Sequence, residues 1–377
     1  YDLKEMHRVV NALPKEYRVP FAMHVSGFKY REIAEKLNLP LGTVKSRIFI
    51  RVENCWWVGR QSYEIIFIFV SDRGGNDPAS PTKSYPKMNN TYCVIMAGGI
   101  GARFWPESRQ SKPKQFLDIL GTGKSFIRHT YERFVGLVPP ERFLVVTNAR
   151  YKELVLQHIP EISEQQVLCE PVGRNTAPCI AYAAYRLHRT DPGARMIVTP
   201  SDHLILNEDD FRTIIGECLE FADRHDALLT VGIKPTRPDT GYGYIQVSDD
   251  KPISKVKCFT EKPGLELAQT FLQCGEFFWN SGIFVWTVGA IIEAFRLHLP
   301  ELHALFEGIR SSMGTPEEPQ AIGRVFSECR AVSIDYGVME KADNVYVRCG
   351  DFGWSDVGTW GSLYQHARKD RYANAKP

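Results

Sequence analysis

The chain has 377 residues, 44% of them hydrophobic and 24% charged, the make-up of a globular protein with room for two or three domains. Its formal net charge of +2 excludes a strong whole-molecule attraction to nucleic acid or anionic membrane. The most apolar run, Ile65 to Val70, is far short of the ~20 residues that span a bilayer, and the N-terminus lacks a charged-then-apolar leader, so a cytoplasmic protein without membrane attachment is expected.

Taken in chain order, residues 1–51 are helical in pattern, with apolar residues at helical spacing (Val9, Val10, Leu13, then Ile33, Ala34, Leu37). This end is basic: it carries ten Lys and Arg against five acids. Tyr30–Leu37 is predicted as a first helix, Asn38–Gly42 as a turn, and Thr43–Arg51 as a second helix capped by Thr43. Residues 52–87 end in a Gly-, Pro- and Ser-rich stretch without periodicity, which reads as linker.

From Met88 onward, short apolar strands alternate with amphipathic stretches. Strands are predicted at 92–97, 143–147, 166–169, 196–199, 228–233, 244–247, 283–286 and 345–348. This alternation predicts an α/β fold with a doubly wound, mixed but mostly parallel sheet. Met88 stands four residues before the first strand, where a free-standing enzyme would start, and residues 1–87 read as a fused upstream segment. The nine cysteines are scattered without a CxxC pair, so reduced thiols are expected rather than a disulfide framework or structural zinc.

The first predicted strand runs into Ala97, Gly98, Gly99, Ile100 and Gly101, followed by Arg103 and, eleven residues later, Lys114. Glycines there let backbone N–H groups approach a base and phosphates, and Arg103 and Lys114 add positive charge. A dinucleotide fingerprint would need a third glycine where Phe104 stands. Gly121–Ser125 (GTGKS) lacks the leading glycine of a Walker A loop, because position 118 is Asp, and reads as a turn into a helix. Asp202 follows the strand ending in Thr199, at the end of an α/β sheet where ligands sit.

The glycine loop with PKQF, then EPVGRNTAP (170–178), PSDH (200–203), RPDTGYGYI (237–245), EKP (261–263), WNSGIFVW (279–286), IDYGVMEK (334–341) and GWSDVGTW (353–360) together resemble the mannose-1-phosphate guanylyltransferase family. That resemblance implies a Rossmann-like nucleotidyltransferase over residues 88–377 that makes GDP-mannose from GTP and mannose 1-phosphate. It implies catalytic roles for Arg103, Lys114, Asp202 and Asp356, with the two aspartates holding Mg2+. It places the nucleotide on Ala97, Gly98, Gly99, Gly101, Arg103, Glu170, Asn175 and Thr176. The sugar phosphate falls to Gly243, Glu261, Lys262, Asn280 and Asp335, with Gly243 making room for the ring. His203 is read as structural, Lys112 as a surface charge, and Phe278, Trp279 and Trp286 as core. Another sugar 1-phosphate or another base is the rival within this class. Relatives continue beyond the catalytic core, which leaves a homodimer and a second, isomerase activity open.

The segment YREIAEKLNLPLGTVKSRI (30–48) is similar to region 4 of extracytoplasmic-function sigma factors. This implies a helix-turn-helix over residues 1–51 with a weak, salt-sensitive contact to DNA through Lys45, Ser46 and Arg47. The rival for the whole chain is a DNA-binding regulator with a sugar-nucleotide-sensing domain.

Overall fold

The computed structural model describes residues 90–366, apart from 100, 102, 103, 248 and 250, together with 30–39 and residues 19, 23 and 43. The chain divides into two units, Tyr1–Pro78 and Ala79–Pro377. In the first, helix α1 (Tyr30–Leu37) carries Glu32 in its first turn and Lys36 in its last, charges that suit the helix dipole, and it buries Ile33. It stops at Asn38, whose φ of +52° suits a short polar side chain. The Leu39 amide then bonds back to the Ala34 carbonyl at 2.9 Å. These are the predicted helix and the start of the predicted turn. The second helix beyond Thr43 and the linker at 52–87 lie outside the described residues.

The second unit is built on β1 (Thr91–Met96), β2 (Phe143–Asn148), β3 (Val167–Glu170), β4 (Arg195–Pro200), β5 (Leu204–Ile205), β6 (Leu228–Ile233), β7 (Tyr244–Val247), β8 (Ile253–Thr260), β9 (Phe277–Thr287), β10 (Val345–Gly350) and β11 (Trp354–Ser355). Nine of them form one sheet in the order β3-β2-β1-β4-β9-β6-β10-β8-β7, and β11 pairs with β5. Parallel pairing joins β3, β2, β1 and β4, and again β6 and β10, while β9 and β8 run the other way. The sheet is therefore mixed, with seven of nine strands pointing one way. The first half of β9 also pairs with β7, so β9, β6, β10, β8 and β7 form a closed ring of pairings.

Helices cover both faces. They are α2 (Phe126–Val135), α3 (Lys152–His158), α4 (Thr176–Thr190), α5 (Glu208–Arg224), α6 (Leu265–Cys274), α7 (Val288–His298), α8 (Pro300–Gly308) and α9 (Glu318–Glu328), followed by α10 (Trp360–His366). Strands buried on both faces read as continuous apolar runs rather than alternating ones. In β1, Val94 packs with Met196 and Val198 under α4, α7, α8 and α9, while Cys93 and Ile95 pack with Ile197 under α2, α3, α5 and α6. Burial at ~25 cal/mol per Å2 of apolar surface makes this two-sided sheet the main source of stability. Trp279 and Trp286 are buried in it, as expected, and Phe278 is half-buried. Chain order reverses beside β1, with β2 and β3 on one flank and β4 on the other. The crevice this leaves at the strand C-termini is where α/β proteins place ligands. No helix among the described residues is long and apolar enough to cross a membrane.

Candidate active site

The loop leaving β1 is held from below by side chains. Gln115 Nε2 donates to the carbonyls of Ala97 (2.9 Å) and Gly99 (3.0 Å), Thr147 Oγ1 donates to Ala97 O at 2.8 Å, and Ser108 Oγ donates to Gly101 O at 2.5 Å. Carbonyls pinned from beneath leave the loop's amides for a ligand. Gly101 has φ +63°, and a Cβ there would stand 2.4 Å from Lys114 Cβ, so glycine is required on both counts. Arg103 lies outside the described residues. Lys112 is exposed. GTGKS folds as a turn: Asp118 accepts from the amides of Thr122 (2.9 Å) and Gly123 (2.6 Å) before α2 begins.

Lys114 follows in a short helical turn and is buried at 4% exposure. Its Nζ donates to the backbone carbonyls of Asp202 (3.0 Å) and Asp356 (2.7 Å) and pairs with Asp202 Oδ2 at 3.0 Å. An ammonium has three donors, and these contacts use them all. The rings of Phe104 and Phe126, 5.4 and 5.1 Å away, stack further negative potential around it. One lysine thus gathers the loop after β4 and the loop after β11, bringing the two predicted metal-binding aspartates together. Among the described residues no group of three or more His, Cys, Asp or Glu gathers as a metal site. Two carboxylates with hard oxygens do fit an ion such as Mg2+, which keeps several waters and draws further ligands from substrate phosphates. His203 is a structural neighbour: Trp354 Nε1 donates to its Nδ1 at 3.2 Å, and burial pulls its pKa down to about 4, so it is neutral at pH 7.

Glu170 closes β3 at 4% exposure, beside Gly98, where a Cβ would lie 3.4 Å from Glu170 Oε2. Its Oε1 is buried without a hydrogen-bond partner among the described residues. Burial pushes its pKa up to about 7, against the opposing pull of the Cys179 thiol. The following loop is pinned elsewhere. Arg174 Nε donates to Phe326 O at 2.8 Å, Thr176 Oγ1 accepts from the Ile334 amide at 2.8 Å, and Asn175 caps α4 with φ +69°. Asn175 and Thr176 therefore serve the loop's shape.

The five predicted sugar-side residues converge around the start of β7 and the middle of β9. Lys262 Nζ pairs with Glu261 Oε1 at 2.7 Å, and Asn280 Nδ2 donates to Asp335 Oδ1 at 2.9 Å. Asn280 Oδ1 in turn accepts from Thr230 Oγ1 at 2.8 Å. Burial, reinforced by the negative charge of Glu261, pushes the Asp335 carboxyl up to about 7. The room that Gly243 provides is taken by Glu261: a Cβ there would stand 2.4 Å from Glu261 Oε2. The glycine thus admits the carboxylate rather than open space for a ring.

Three residues that the sequence reading passed over complete the arrangement: Gln115, Tyr242 and Arg237. Tyr242 donates its hydroxyl to Asp356 Oδ1 at 2.6 Å and accepts from Arg237 Nη2 at 3.3 Å. Burial and the Asp356 charge push its phenol far above the ordinary range, so it remains a donor. Both Gln115 and Tyr242 stand inside motifs already singled out, PKQF and TGYGY. Backbone in the left-handed region also clusters here, at Asn175, Lys262 (φ +49°) and Val357 (φ +43°). A β-branched residue at such a φ is a true outlier, of the kind held in place at functional sites.

A glycine loop at a strand end, two loop aspartates gathered on one lysine and an adjoining cluster of polar side chains are what a nucleotidyl transferase on an α/β sheet requires. The nucleotidyl transferase family model matches residues 92–372, and the chain belongs to that family. A mannose-1-phosphate guanylyltransferase of Sinorhizobium fredii is 35% identical over 304 residues, covering 79% of this chain and 59% of the relative. The mannose-1-phosphate guanylyltransferase ManC of Salmonella typhimurium is 38% identical over 292 residues, covering 74% and 60%. The chain thus spans about three fifths of the length of these relatives. Among solved structures, one titled a mannose-1-phosphate geranyltransferase, from Thermus thermophilus, superposes with a TM-score of 0.67 at 34% identity, covering 74% of this chain and 79% of that one. One titled a mannose-6-phosphate isomerase, from Helicobacter pylori, gives 0.59 at 28% identity, covering 71% and 100%. Separately, the sigma-70 region 4 model matches residues 3–49.

Proposed function

We propose that this chain transfers the GMP moiety of GTP to mannose 1-phosphate, giving GDP-mannose and pyrophosphate. The observation that carries the base assignment is the buried, unpartnered Oε1 of Glu170 beside the glycine loop. A buried acceptor left unpaired costs roughly 1–3 kcal/mol. Guanine presents two adjacent donors, N1–H and the N2 amino group, which a carboxylate accepts as a pair. Uracil and thymine present one ring N–H between two carbonyls that would face Glu170. The sugar assignment is supported by the relatives that match at 35% and 38% identity, both named mannose-1-phosphate guanylyltransferases.

In this reading a phosphate oxygen of mannose 1-phosphate attacks the α-phosphorus of GTP. The new O–P bond forms as the α–β bridging bond breaks, and pyrophosphate leaves with the electron pair. The nucleophile is already an anion, so positioning and charge neutralisation carry the catalysis. The amides of Gly98, Gly99 and Gly101, with Arg103, cradle the triphosphate, while Asn175 and Thr176 shape the base pocket. Lys114 holds the two aspartates and neutralises charge at the transferring phosphoryl group. Glu261, Asn280 and Asp335 bond the sugar hydroxyls, and Lys262 faces the sugar phosphate. The family in general uses a divalent metal; here Mg2+, held by Asp202 and Asp356, would supply charge screening on the phosphates. The region 4-like segment adds a weak DNA contact at residues 1–51.

The test is pyrophosphate release by the full chain with Mg2+, comparing GTP with ATP, UTP and dTTP, and mannose 1-phosphate with glucose 1-phosphate. GTP with mannose 1-phosphate should give the highest kcat/KM, and Lys114→Ala should abolish release. A different preferred pair, or an unaffected Lys114→Ala, would refute the assignment.

A further inference from the structure

We propose that Tyr242 is a positioning residue that fixes which oxygen of Asp356 faces a divalent cation. The inference rests on the nucleotidyl-transfer reading above and adds a residue to it. Asp356 accepts two hydrogen bonds, from Tyr242 Oη at 2.6 Å and from the Gly358 amide at 3.1 Å, and both fall on Oδ1. A carboxylate offers about four lone-pair sites over its two oxygens. Loading Oδ1 leaves Oδ2 as the oxygen available to a cation. Space has been kept for Oδ2: a Cβ on residue 358 would stand 2.5 Å from it, so the glycine there serves the carboxylate. The strained Val357 between them, at φ +43°, turns the backbone so that the Gly358 amide reaches back to Asp356.

The hydroxyl is itself held in place. Arg237 Nη2 donates to it at 3.3 Å while Arg237 pairs with Asp239 Oδ2 at 2.8 Å. The tyrosine ring meets Trp279 edge-on at 5.1 Å and Trp354 at 5.3 Å. From the backbone of the same residue, Tyr242 O accepts the Lys262 amide at 3.2 Å. A donor pinned by a cation, two indoles and a backbone bond has one geometry, which it imposes on Asp356. Outer-shell partners of this kind orient carboxylate ligands, and removing one typically costs about 10–100-fold in metal affinity or activity.

Two quantities test this on the full chain. One is the Mn2+ concentration that half-saturates pyrophosphate release. The other is Mn2+ binding in the presence of GTP, read from the EPR signal of the free ion against a GTP–Mn2+ blank. Tyr242→Phe, which removes one oxygen and keeps the ring packing, should raise the half-saturating Mn2+ concentration and weaken Mn2+ binding, each by about tenfold, with KM for GTP at saturating Mn2+ moved less than threefold. In an Asp356→Asn background the same change should have no further effect on Mn2+ binding, because the carboxylate it acts through is gone. Equal Mn2+ affinity for Tyr242→Phe and parent would overturn the proposal. So would an equal loss in the Asp356→Asn background, which is what a general packing defect produces. Absence of Mn2+-dependent release in the parent would instead sink the nucleotidyl-transfer reading itself.

Discussion

Replacing Glu170 with Gln should stabilise the fold and weaken the nucleotide at the same time. The carboxyl is buried, and its pKa rises from 4.5 to about 7. At about 1.4 kcal/mol per pH unit, that corresponds to roughly 3 kcal/mol held against the ionised form. The sign follows from linkage. A carboxyl raised in the folded state stabilises fully below its unfolded pKa, and this contribution is lost as pH rises through about 7. Gln never ionises, so Glu170→Gln and parent should differ by about 1.4 kcal/mol more at pH 5.5 than at pH 4, and by roughly 3 kcal/mol more at pH 8. Urea unfolding of the two proteins across this range, followed by tryptophan fluorescence, measures it. Gln offers one carbonyl where the carboxylate offers two oxygens, so GTP affinity should fall about tenfold or more at pH 8. Parent affinity for GTP should itself weaken below pH 7, as the carboxylate takes up a proton it must release to accept both guanine donors. A stability difference that stays flat with pH would refute the reasoning, because it would mean the native carboxyl titrates normally.

Gly101→Ala forces a Cβ to within 2.4 Å of Lys114 and a left-handed φ on alanine. It should cost about 2–4 kcal/mol in urea unfolding and at least tenfold in pyrophosphate release; a loss under 0.5 kcal/mol would contradict the packing described. Gly243→Ala pushes against Glu261 Oε2. It should raise KM for the sugar 1-phosphate by roughly tenfold, about 1.4 kcal/mol, while KM for GTP moves less than twofold, a split that steady-state kinetics with each substrate varied will reveal. Band-shift titrations should find full-chain binding to promoter-length duplex at 50 mM salt falling by more than tenfold at 200 mM; salt-independent binding would exclude a phosphate contact by the basic segment.

The parallel pairs of the sheet were legible because burial on both faces writes a nearly continuous apolar run, as in Cys93–Ile95 or in Leu228–Ile233, where Thr230 is the one polar side chain. Strand β8 was not, because Lys255, Lys257 and Cys258 interrupt its apolar character, and only Ser254 and Phe259 are buried along it. Half of β9 was missed for another reason. Asn280, Ser281 and Gly282 look like a loop, and they sit where the pairing with β6 shifts register. Its direction could not be read at all, since an apolar run carries no sign of which way its neighbours point. For the candidate site, motifs singled out side chains that the fold brings into one polar cluster, as with Asn280 and Asp335. Residues that act from behind, such as Gln115 beneath the glycine loop, were invisible. Their partners are backbone carbonyls, which leave no trace in side-chain spacing.

The buried ammonium of Lys114 joins positions separated by 88 and 242 residues along the chain. Closing segments that far apart carries an entropy cost that only a largely formed sheet can offset. The cluster around Lys114 should therefore be a late product of folding: β1, β4, β6 and β10 must be in register before the lysine has both carbonyls to meet. Recovery of activity on refolding should lag the return of sheet signal, making turnover a stricter report of the native state than secondary structure is. By the same logic, a fragment ending before Trp354 would keep a recognisable sheet and have no centre to work with.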